Sequence, residues 1–363
     1  MKKKLLALVC ALVMIFSLAS CGLSTPDTVG KVGDFEVSSG LYLLAQFSAY
    51  QQAAQLAGKD QDATDVKAFL KETITTDADT GETAVVQDYV ADKTLETLRT
   101  FAAIDARFAE LGGELTAEQT QVADNYAQQL MDQYGSTYNA NGIGLETLKA
   151  FERIQLKHTL LLTLVYGPDG ESPVDDSDLT EHLDSQMYEL AYVNIPLYNT
   201  STFVFASDDQ KAQMLQLAQA AAATCRGWQV SALHSAASAA LPDIYAVLDS
   251  TPAEDASSVQ TELLTESDLT GAFTQDGAAD AVRGLVYGEA AAAQYNAASI
   301  ILMMRIDPLQ VSTLDALRTQ ILSDMKGDEL EDALTAYGST LENDLSTSAM
   351  NKMPASKIVN PSS

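Results

Sequence analysis

Cysteine and tryptophan are scarce in this chain. Its 363 residues include three cysteines and one tryptophan, Trp228, which we expect to anchor a core. Cys10 and Cys21 lie near the amino terminus, so Cys225 stands alone in the remainder and has no partner for an internal disulfide. Stability must then come from a packed core, which a chain of this length can build. Cys225 ends an alanine-rich stretch, which favours a small buried core residue over a reactive thiol.

Basic residues are also few relative to acidic ones. The chain has 21 Lys and Arg against 50 Asp and Glu, giving a formal net charge of −29. A surface of this charge repels nucleic acid and anionic headgroups, which excludes nucleic acid as a partner. The acids are dispersed and never form the calcium-loop pattern D-x-[DN]-x-[DN]-G. We interpret them as the solvated surface of an exported protein.

The sequence lacks the usual signatures of metal and nucleophile chemistry. The three histidines, His158, His182 and His234, are far apart and fall in separate predicted helices. Neither H-E-x-x-H nor C-x-x-C spacing occurs, and there is no G-x-S-x-G elbow or G-x-x-x-x-G-K-[ST] loop. We therefore predict no metal, no cofactor and no catalytic set of this kind.

The first 21 residues have the layout of an export signal. Three lysines, Lys2 to Lys4, precede the apolar run Leu5–Leu18, and small residues then lead to a cysteine in Leu18-Ala19-Ser20-Cys21. This ending resembles the lipobox of bacterial lipoproteins. The resemblance implies a signal peptide over 1–20, lipidation of Cys21, and anchoring at the outer face of the cytoplasmic membrane. An uncleaved membrane anchor is the alternative, but the run is short for a span of roughly 20 residues.

Periodicity after the short polar tether 21–28 predicts a mostly helical region, then a mixed one. The boundary falls at Gly167–Pro173, a cluster of turn formers. Residues 250–280 are polar and poorly patterned, and the tail 346–363 is expected to be disordered. A strand pair is predicted at 29–37 and strands at 189–197 and 299–306. Helices are predicted from about 39 to 50 and at 84–111, 116–134, 145–166, 176–187, 211–224, 230–241 and 313–345. A capping box is predicted at Thr116–Gln119, where the third of these helices begins. Gly327 and Gly338 interrupt the last helix, where a bend or break is predicted.

This order of elements resembles exported foldases of the SurA/PrsA type. The resemblance is carried by the opening Val29–Tyr50, by Val174–Leu183 before the mixed region, and by the turn Ala281–Glu289. It implies an α+β, predominantly helical fold. A SurA-like helical chaperone domain would span 29–170, a degenerate parvulin-like domain 171–310, and a returning helix at 311–345 would pack on the chaperone domain.

The departures from this family concern its catalytic residues. Active parvulins carry a histidine in the first strand, where this chain has Asn194 or Ile195, and a second histidine after a Phe-Gly pair, where this chain has only Tyr295. The resemblance places the remnant of the family pocket at Tyr192, Asn194, Tyr295 and Ser299. Because both histidines are missing, no catalytic residue is carried over.

Three functions stay open at this point. The first is a lipid-anchored extracytoplasmic chaperone that holds unfolded exported polypeptides in an apolar cradle, without efficient prolyl isomerase catalysis. The second is an active peptidyl-prolyl isomerase with a rebuilt pocket. The third is a solute-binding or scaffold lipoprotein, which would show alternating βα units that the sequence does not indicate. The partners expected are unfolded polypeptides and the membrane, and a homodimer is left open.

Overall fold

The computed structural model describes residues 26–59, 65–225, 227 and 229–360. The predicted signal peptide, Cys21 and Trp228 lie outside the described residues. The chain divides into two compact units. We call the part up to Val165 together with the part from Asp328 the helical unit, and Tyr166–Gly327 the sheet unit. The fold is α+β and predominantly helical, as predicted.

The helical unit contains two small sheets and a set of long helices. Its elements are β1 Thr28–Val32, β2 Phe35–Ser38, α1 Ser39–Leu56, α2 Val66–Phe69, β3 Thr73–Asp77, β4 Glu82–Val85, α3 Val86–Glu110, α4 Ala117–Ala140 and α5 Leu145–Tyr166, which ends one residue into the sheet unit.

The sheet unit alternates strands with short and medium helices. Its elements are α6 Asp176–Gln186, β5 Met187–Pro196, α7 Asp208–Thr224, α8 Val230–Ala246, β6 Gln260–Thr265, α9 Glu266–Ala272, α10 Ala278–Arg283, β7 Ala290–Asn296, β8 Ser299–Arg305 and α11 Pro308–Val311. The chain then continues through α12 Leu314–Thr340, β9 Asn343–Leu345, α13 Thr347–Met350 and the 3-10 helix Ala355–Lys357.

None of the helices in the described ranges is both long enough and apolar enough to cross a membrane.

The first and last strands of the helical unit pair with each other. The sheet order is β2-β1-β9, and β1 runs antiparallel to β9 with Gly30 opposite Leu345. Gly30 has φ 123°, and a Cβ at this position would come 2.2 Å from the Asp344 carbonyl oxygen. Only glycine permits this close approach. The predicted capping box is confirmed, since the Thr116 and Gln119 side chains each accept from the other's backbone N–H.

The tail beyond β9 is ordered, so the expectation of disorder is wrong for residues 346–360. Ser346 donates its N–H to the Val29 carbonyl at 2.8 Å and caps α13. Met353 is 3% exposed. The Asn141 side chain donates to the Val359 carbonyl and accepts from the Val359 N–H. Local periodicity could not reveal this segment, because it is held by contacts with distant residues.

The four-stranded sheet of the sheet unit is antiparallel, with the order β6-β5-β8-β7. Its central strand β8 is buried on both faces, as its near-continuous apolar sequence predicted. One face packs against α7 and α8, where Cys225 is buried as predicted, and the other packs against α9 and α10. Strands β6 and β7 and the hairpin β3–β4 were not predicted, because they are short and partly polar.

The loop after β5 exposes three consecutive apolar residues. Phe203, Val204 and Phe205 are 72%, 65% and 62% exposed, and Phe203 has φ 57°. The Tyr198 ring stacks on Phe203 at a centroid distance of 6.2 Å. The Asn199 side chain fixes the turn by accepting from the backbone of Ser201 and Thr202. The loop is therefore an ordered aromatic hairpin, which we call the aromatic loop.

Helix α12 continues through both glycines, so the predicted break is wrong, and the helix ends at Thr340 rather than at 345. The division into units also falls within α12. Its first part belongs to the sheet unit, where the buried Arg318 pairs with Asp176 at 2.8 Å, and its part from Asp328 belongs to the helical unit. In that later part, a Cβ on Gly338 would lie 2.8 Å from the Arg99 carbonyl oxygen, whereas a Cβ on Gly327 would meet only the Ser323 Oγ at 4.0 Å.

These two glycines make a matched test of the packing of α12 on α3. We expect Gly327→Ala to raise the free energy of unfolding by roughly 0.5–1 kcal/mol, because alanine is the better helix former. Gly338→Ala should instead lower it by about 1–3 kcal/mol, because the helices must separate to admit the methyl group. Denaturant unfolding followed by circular dichroism measures both. Equal stabilisation by the two changes would show that α12 does not approach Arg99 closely.

Candidate functional site

The four residues predicted to form the family pocket share one face of the antiparallel sheet. Side chains alternate along a strand, and Tyr192 and Asn194 on β5 lie on the side that packs against α9 and α10. In β8, Ser299 is two residues from Ile301 and so faces the same way. Tyr295 of β7 packs against the same apolar cluster. The sheet therefore collects all four residues on one side.

A cavity of about 510 Å³ opens on this face, between the sheet and α9. Tyr192 and Tyr295 line it, whereas Asn194 is exposed and Ser299 is buried away from its wall. The structure thus brings two of the four predicted residues into one site. The cavity lining is Leu190, Tyr192, Glu262, Leu264, Ser267, Asp268, Gly271, Ala272, Phe273, Tyr295 and Ile301.

The cavity has an aromatic wall. Phe273 and Tyr295 are in contact, with ring centroids 5.5 Å apart and an interplanar angle of 51°. Phe273 follows the carboxyl end of α9, a short helix that begins with a capping box in which Thr265 and Asp268 bind each other. This cap fixes where α9 starts and hence where Phe273 enters the site. The two rings present an angled apolar surface to a ligand.

The polar groups of the cavity are mostly engaged with each other. The Tyr192 hydroxyl donates to Glu262 Oε2 at 3.2 Å, and burial together with the charge of Glu262 raises the pKa of Tyr192. The Asp268 carboxylate accepts from the Thr265 N–H at 3.0 Å and from its hydroxyl at 2.9 Å. Two carboxylates and a mainly apolar floor make a site that favours neutral or basic ligands.

The site holds no histidine or cysteine among its lining residues. The three histidines lie apart: His158 pairs with Glu331 at 3.1 Å, His182 with Asp324 at 2.6 Å, and His234 with the Ser257 carbonyl at 2.8 Å. Across the ranges that the structure describes, no three metal-ligating side chains are placed to hold an ion. The arrangement can bind apolar segments, and its two carboxylates, Glu262 and Asp268, are hydrogen-bonded to Tyr192 and Thr265.

Sequence reasoning missed most of the wall. Seven of the eleven lining residues, among them Glu262, Leu264, Asp268 and Phe273, come from the poorly patterned residues 250–280. The signal that could have found them is Thr265-x-x-Asp268, a capping-box spacing directly after the apolar pair Leu263-Leu264. That pattern indicates a strand passing straight into a helix.

Arg305 supports the far end of the same sheet. Its guanidinium lies 4.9 Å from the Tyr188 ring centroid and 5.1 Å from that of Tyr287, and it donates to the Leu285 carbonyl. The Tyr287 hydroxyl donates to Asp184 at 2.8 Å, and burial is the main cause that raises the pKa of Tyr287 to about 12. These contacts hold the turn Ala281–Glu289, one of the segments that carried the family resemblance, against β8.

Comparisons with known proteins found similarity at the level of solved structures. Foldase protein PrsA from Streptococcus pneumoniae str. Canada MDR_19A matches with 14% identity and a TM-score of 0.36, over 77% of this chain and 98% of that chain. Foldase protein PrsA from Lactococcus lactis matches with 10% identity and a TM-score of 0.32, over 92% of this chain and 100% of that chain. Both are foldases of the type that the sequence resembles.

No family model and no curated protein matches the chain. Because both TM-scores are below 0.5, the function proposed below depends on this chain's own residues.

Glu189 of β5 alternates with the cavity residues Leu190 and Tyr192 and so points to the other face of the sheet, where it gives a test of the electrostatics. It is 7% exposed, and burial, with a smaller contribution from Glu262, raises the pKa of Glu189. The folded state therefore keeps this proton to a higher pH than the unfolded chain, and stability falls as pH rises from about 4.3 through the folded pKa. We expect Glu189→Gln to raise the melting temperature at pH 7, with the gain shrinking towards pH 4.

The control is Glu82→Gln, on the exposed strand β4, which should leave the melting temperature nearly unchanged at both pH values. A Glu189→Gln variant that is less stable than the parent at pH 7 would contradict the assignment of Glu189 as a destabilising buried carboxylate.

Proposed function

We propose that this chain is an extracytoplasmic, lipid-anchored chaperone of the foldase type, which binds segments of unfolded exported proteins without efficient prolyl isomerase catalysis. The observation that carries the proposal is the aromatic cavity between the sheet and α9, with Tyr192, Phe273 and Tyr295 in its wall. Its volume of about 510 Å³ accommodates a few side chains of an extended segment. In the helical unit, apolar side chains would form a second surface for the same clients.

The charge of the site fits clients of one kind. Glu262 and Asp268 line the cavity, and the whole chain has a net charge of −29. Acidic segments are repelled, while apolar segments flanked by Lys or Arg are attracted over a Debye length of about 8 Å at physiological salt. Tyrosine and phenylalanine present large rigid surfaces that accept many sequences, which suits a binder of varied clients.

The chemistry of the cavity argues against efficient isomerisation. Rotation about a prolyl bond must overcome a barrier of about 20 kcal/mol that comes from amide resonance. Catalysis requires groups that bind the twisted amide better than the planar one. Here Tyr192 donates to Glu262, Asp268 is engaged in the cap of α9, and Asn194 or Ile195 stands in place of a family histidine. The pocket therefore has apolar walls but few uncommitted hydrogen-bonding groups.

The solute-binding alternative receives no support from the topology. That class requires lobes of parallel strands joined by helices, whereas every strand pair in the described residues is antiparallel. The isomerase alternative differs from the proposal only in catalysis, so one experiment separates them.

The test is refolding of a denatured protein whose slow phase is limited by proline, with and without residues 22–363 of this chain. We expect less aggregation and an unchanged rate of the slow phase. Tyr295→Ala should weaken binding of an apolar peptide about fivefold, since an aromatic contact contributes roughly 1 kcal/mol. Asn194→Ala, at an exposed side chain on the same sheet face but outside the cavity, is the control and should change nothing.

A saturable increase in the slow-phase rate that Tyr295→Ala abolishes would establish the isomerase alternative instead. If neither yield nor rate responds to the chain, the foldase proposal is wrong.

The proposed anchor at Cys21 has its own test. We expect the native chain, expressed in a bacterium with its leader, to fractionate with membranes and to incorporate labelled fatty acid. Cys21→Ser removes the thiol that would carry the lipid, so fractionation and labelling should both be lost. Cys225→Ser is the control, because that buried cysteine lies within the α7–α8 core. Membrane retention of Cys21→Ser would favour the uncleaved anchor.

A further inference from the structure

The end of the chain occupies a groove on the helical unit as a bound peptide would. We call Met353–Asn360 the tail segment. Apart from one short 3-10 turn, it has no helix or strand of its own, and it lies across α1, α3 and the end of α4.

Two side-chain amides of the groove bind main-chain atoms of the tail segment. Gln46 on α1 donates from Nε2 to the Met353 carbonyl at 3.2 Å. Asn141, just after α4, donates from Nδ2 to the Val359 carbonyl at 2.8 Å and accepts from the Val359 N–H at 2.9 Å. Both amides are buried, at 6% and 9% exposure. Because the atoms of the tail segment that they contact are all main-chain atoms, they can bind an extended segment of another sequence in the same way.

Two apolar side chains complete the contact. Met353 is 3% exposed, and Ile358 packs against two apolar clusters of the helical unit, one around Tyr50 and Phe69 and one around Leu44. We call Gln46 and Asn141 the amide clamp. Val359, directly after Ile358, has a side chain that is 45% exposed, and its main chain contacts Asn141 of the clamp. The groove therefore selects apolar side chains at two positions and tolerates most residues elsewhere.

The tail segment does not fill the groove. An open pocket of about 340 Å³ lies beside it. Helices α1 and α3 and Leu70 form one wall, with Tyr42, Gln46, Gln87, Val90 and Ala91, and residues 350, 351 and 354–356 form the other. The groove therefore extends beyond the tail segment and leaves room for bulkier side chains.

We propose that this groove is a binding site for extended segments of unfolded polypeptide with apolar side chains spaced like Met353 and Ile358, and that the tail segment is an intramolecular occupant which clients displace. The inference rests on the proposed function and identifies where the helical unit would hold its clients. A segment of this kind would enter by opening of the tail alone, since the strands β1 and β9 lie before it in the chain.

The test uses a labelled peptide with the sequence of Lys352–Asn360 and residues 22–363 of the chain, followed by fluorescence anisotropy. In the intact chain the tail segment competes, so binding should be weak. Ile358→Asp in the chain should release the chain's own tail and leave the groove unchanged. The fraction of chains whose groove is open then rises, so the affinity for the peptide should rise about tenfold. Lys357→Gln makes the same change in net charge at an exposed neighbouring side chain and should have little effect.

The contribution of the amide clamp is measured in the Ile358→Asp chain. Adding Asn141→Asp keeps the size of the side chain and the acceptor for an N–H but removes the donor, so affinity for the peptide should fall severalfold. A reduced, carboxymethylated protein that cannot refold should compete with the labelled peptide for the Ile358→Asp chain.

Three results would overturn the inference. Absence of peptide binding to a folded Ile358→Asp chain would show that the groove is not a peptide site. Loss of helical circular dichroism in that variant would make the tail an obligatory part of the core. Exchange of tails between two copies, seen as a dimer by gel filtration, would assign the groove to a second copy. Aggregation assays on the parent chain report separately on the proposed function.

Discussion

The pairing of β1 with β9 is the constraint on which the helical unit depends. It joins residues near the amino terminus to residues beyond 340, and it requires glycine at position 30, because the Asp344 carbonyl occupies the space of a side chain. Directly after β9, Ser346 donates its N–H to the Val29 carbonyl, and its side chain caps α13. The rest of the chain then lies across α1 and α3. The sheet unit then lies in the sequence as an insertion between two parts of the helical unit.

The cavity of the sheet unit exists because helices cover the two faces of its four-stranded sheet unequally. Helices α7 and α8 are each 17 residues long and seal one face with alanine, leucine and isoleucine side chains. The other face is covered by α9 and α10, of 7 and 6 residues, which leave part of the sheet open. Aromatic side chains of β5, β7 and the end of α9 surround that opening. A cavity follows from short helices on a wide sheet, and its chemistry follows from which residues the strands turn towards it.

Much of this fold could be predicted from sequence, for identifiable physical reasons. The helical period of the apolar residues predicts long helices such as α3, and a continuous apolar run predicts strands such as β8. Thr116 and Gln119 predict a helix start, because a capping box depends only on hydrogen bonds between near neighbours. Tyr192 and Tyr295, which the resemblance assigns to the family pocket, line the cavity, whereas Asn194 and Ser299 share the face without reaching it. Phe273 and the ordered tail were missed. Their positions depend on Thr265, Gln46 and Asn141, whose contacts are either very short in range or span hundreds of residues, and neither leaves a periodic pattern.

The aromatic loop affects how copies of this chain interact in solution. Phe203, Val204 and Phe205 project into water from a chain whose net charge is −29. Attraction between such tips acts only on contact, whereas repulsion between like-charged molecules acts over the Debye length, about 8 Å at 0.15 M salt and about 3 Å at 1 M. The acidic surface thus keeps neighbouring copies beyond the reach of their own exposed rings. The solubility of this protein is therefore set by salt and by the distance of the pH from its isoelectric point near 4.2, more than by the apolar area that it exposes.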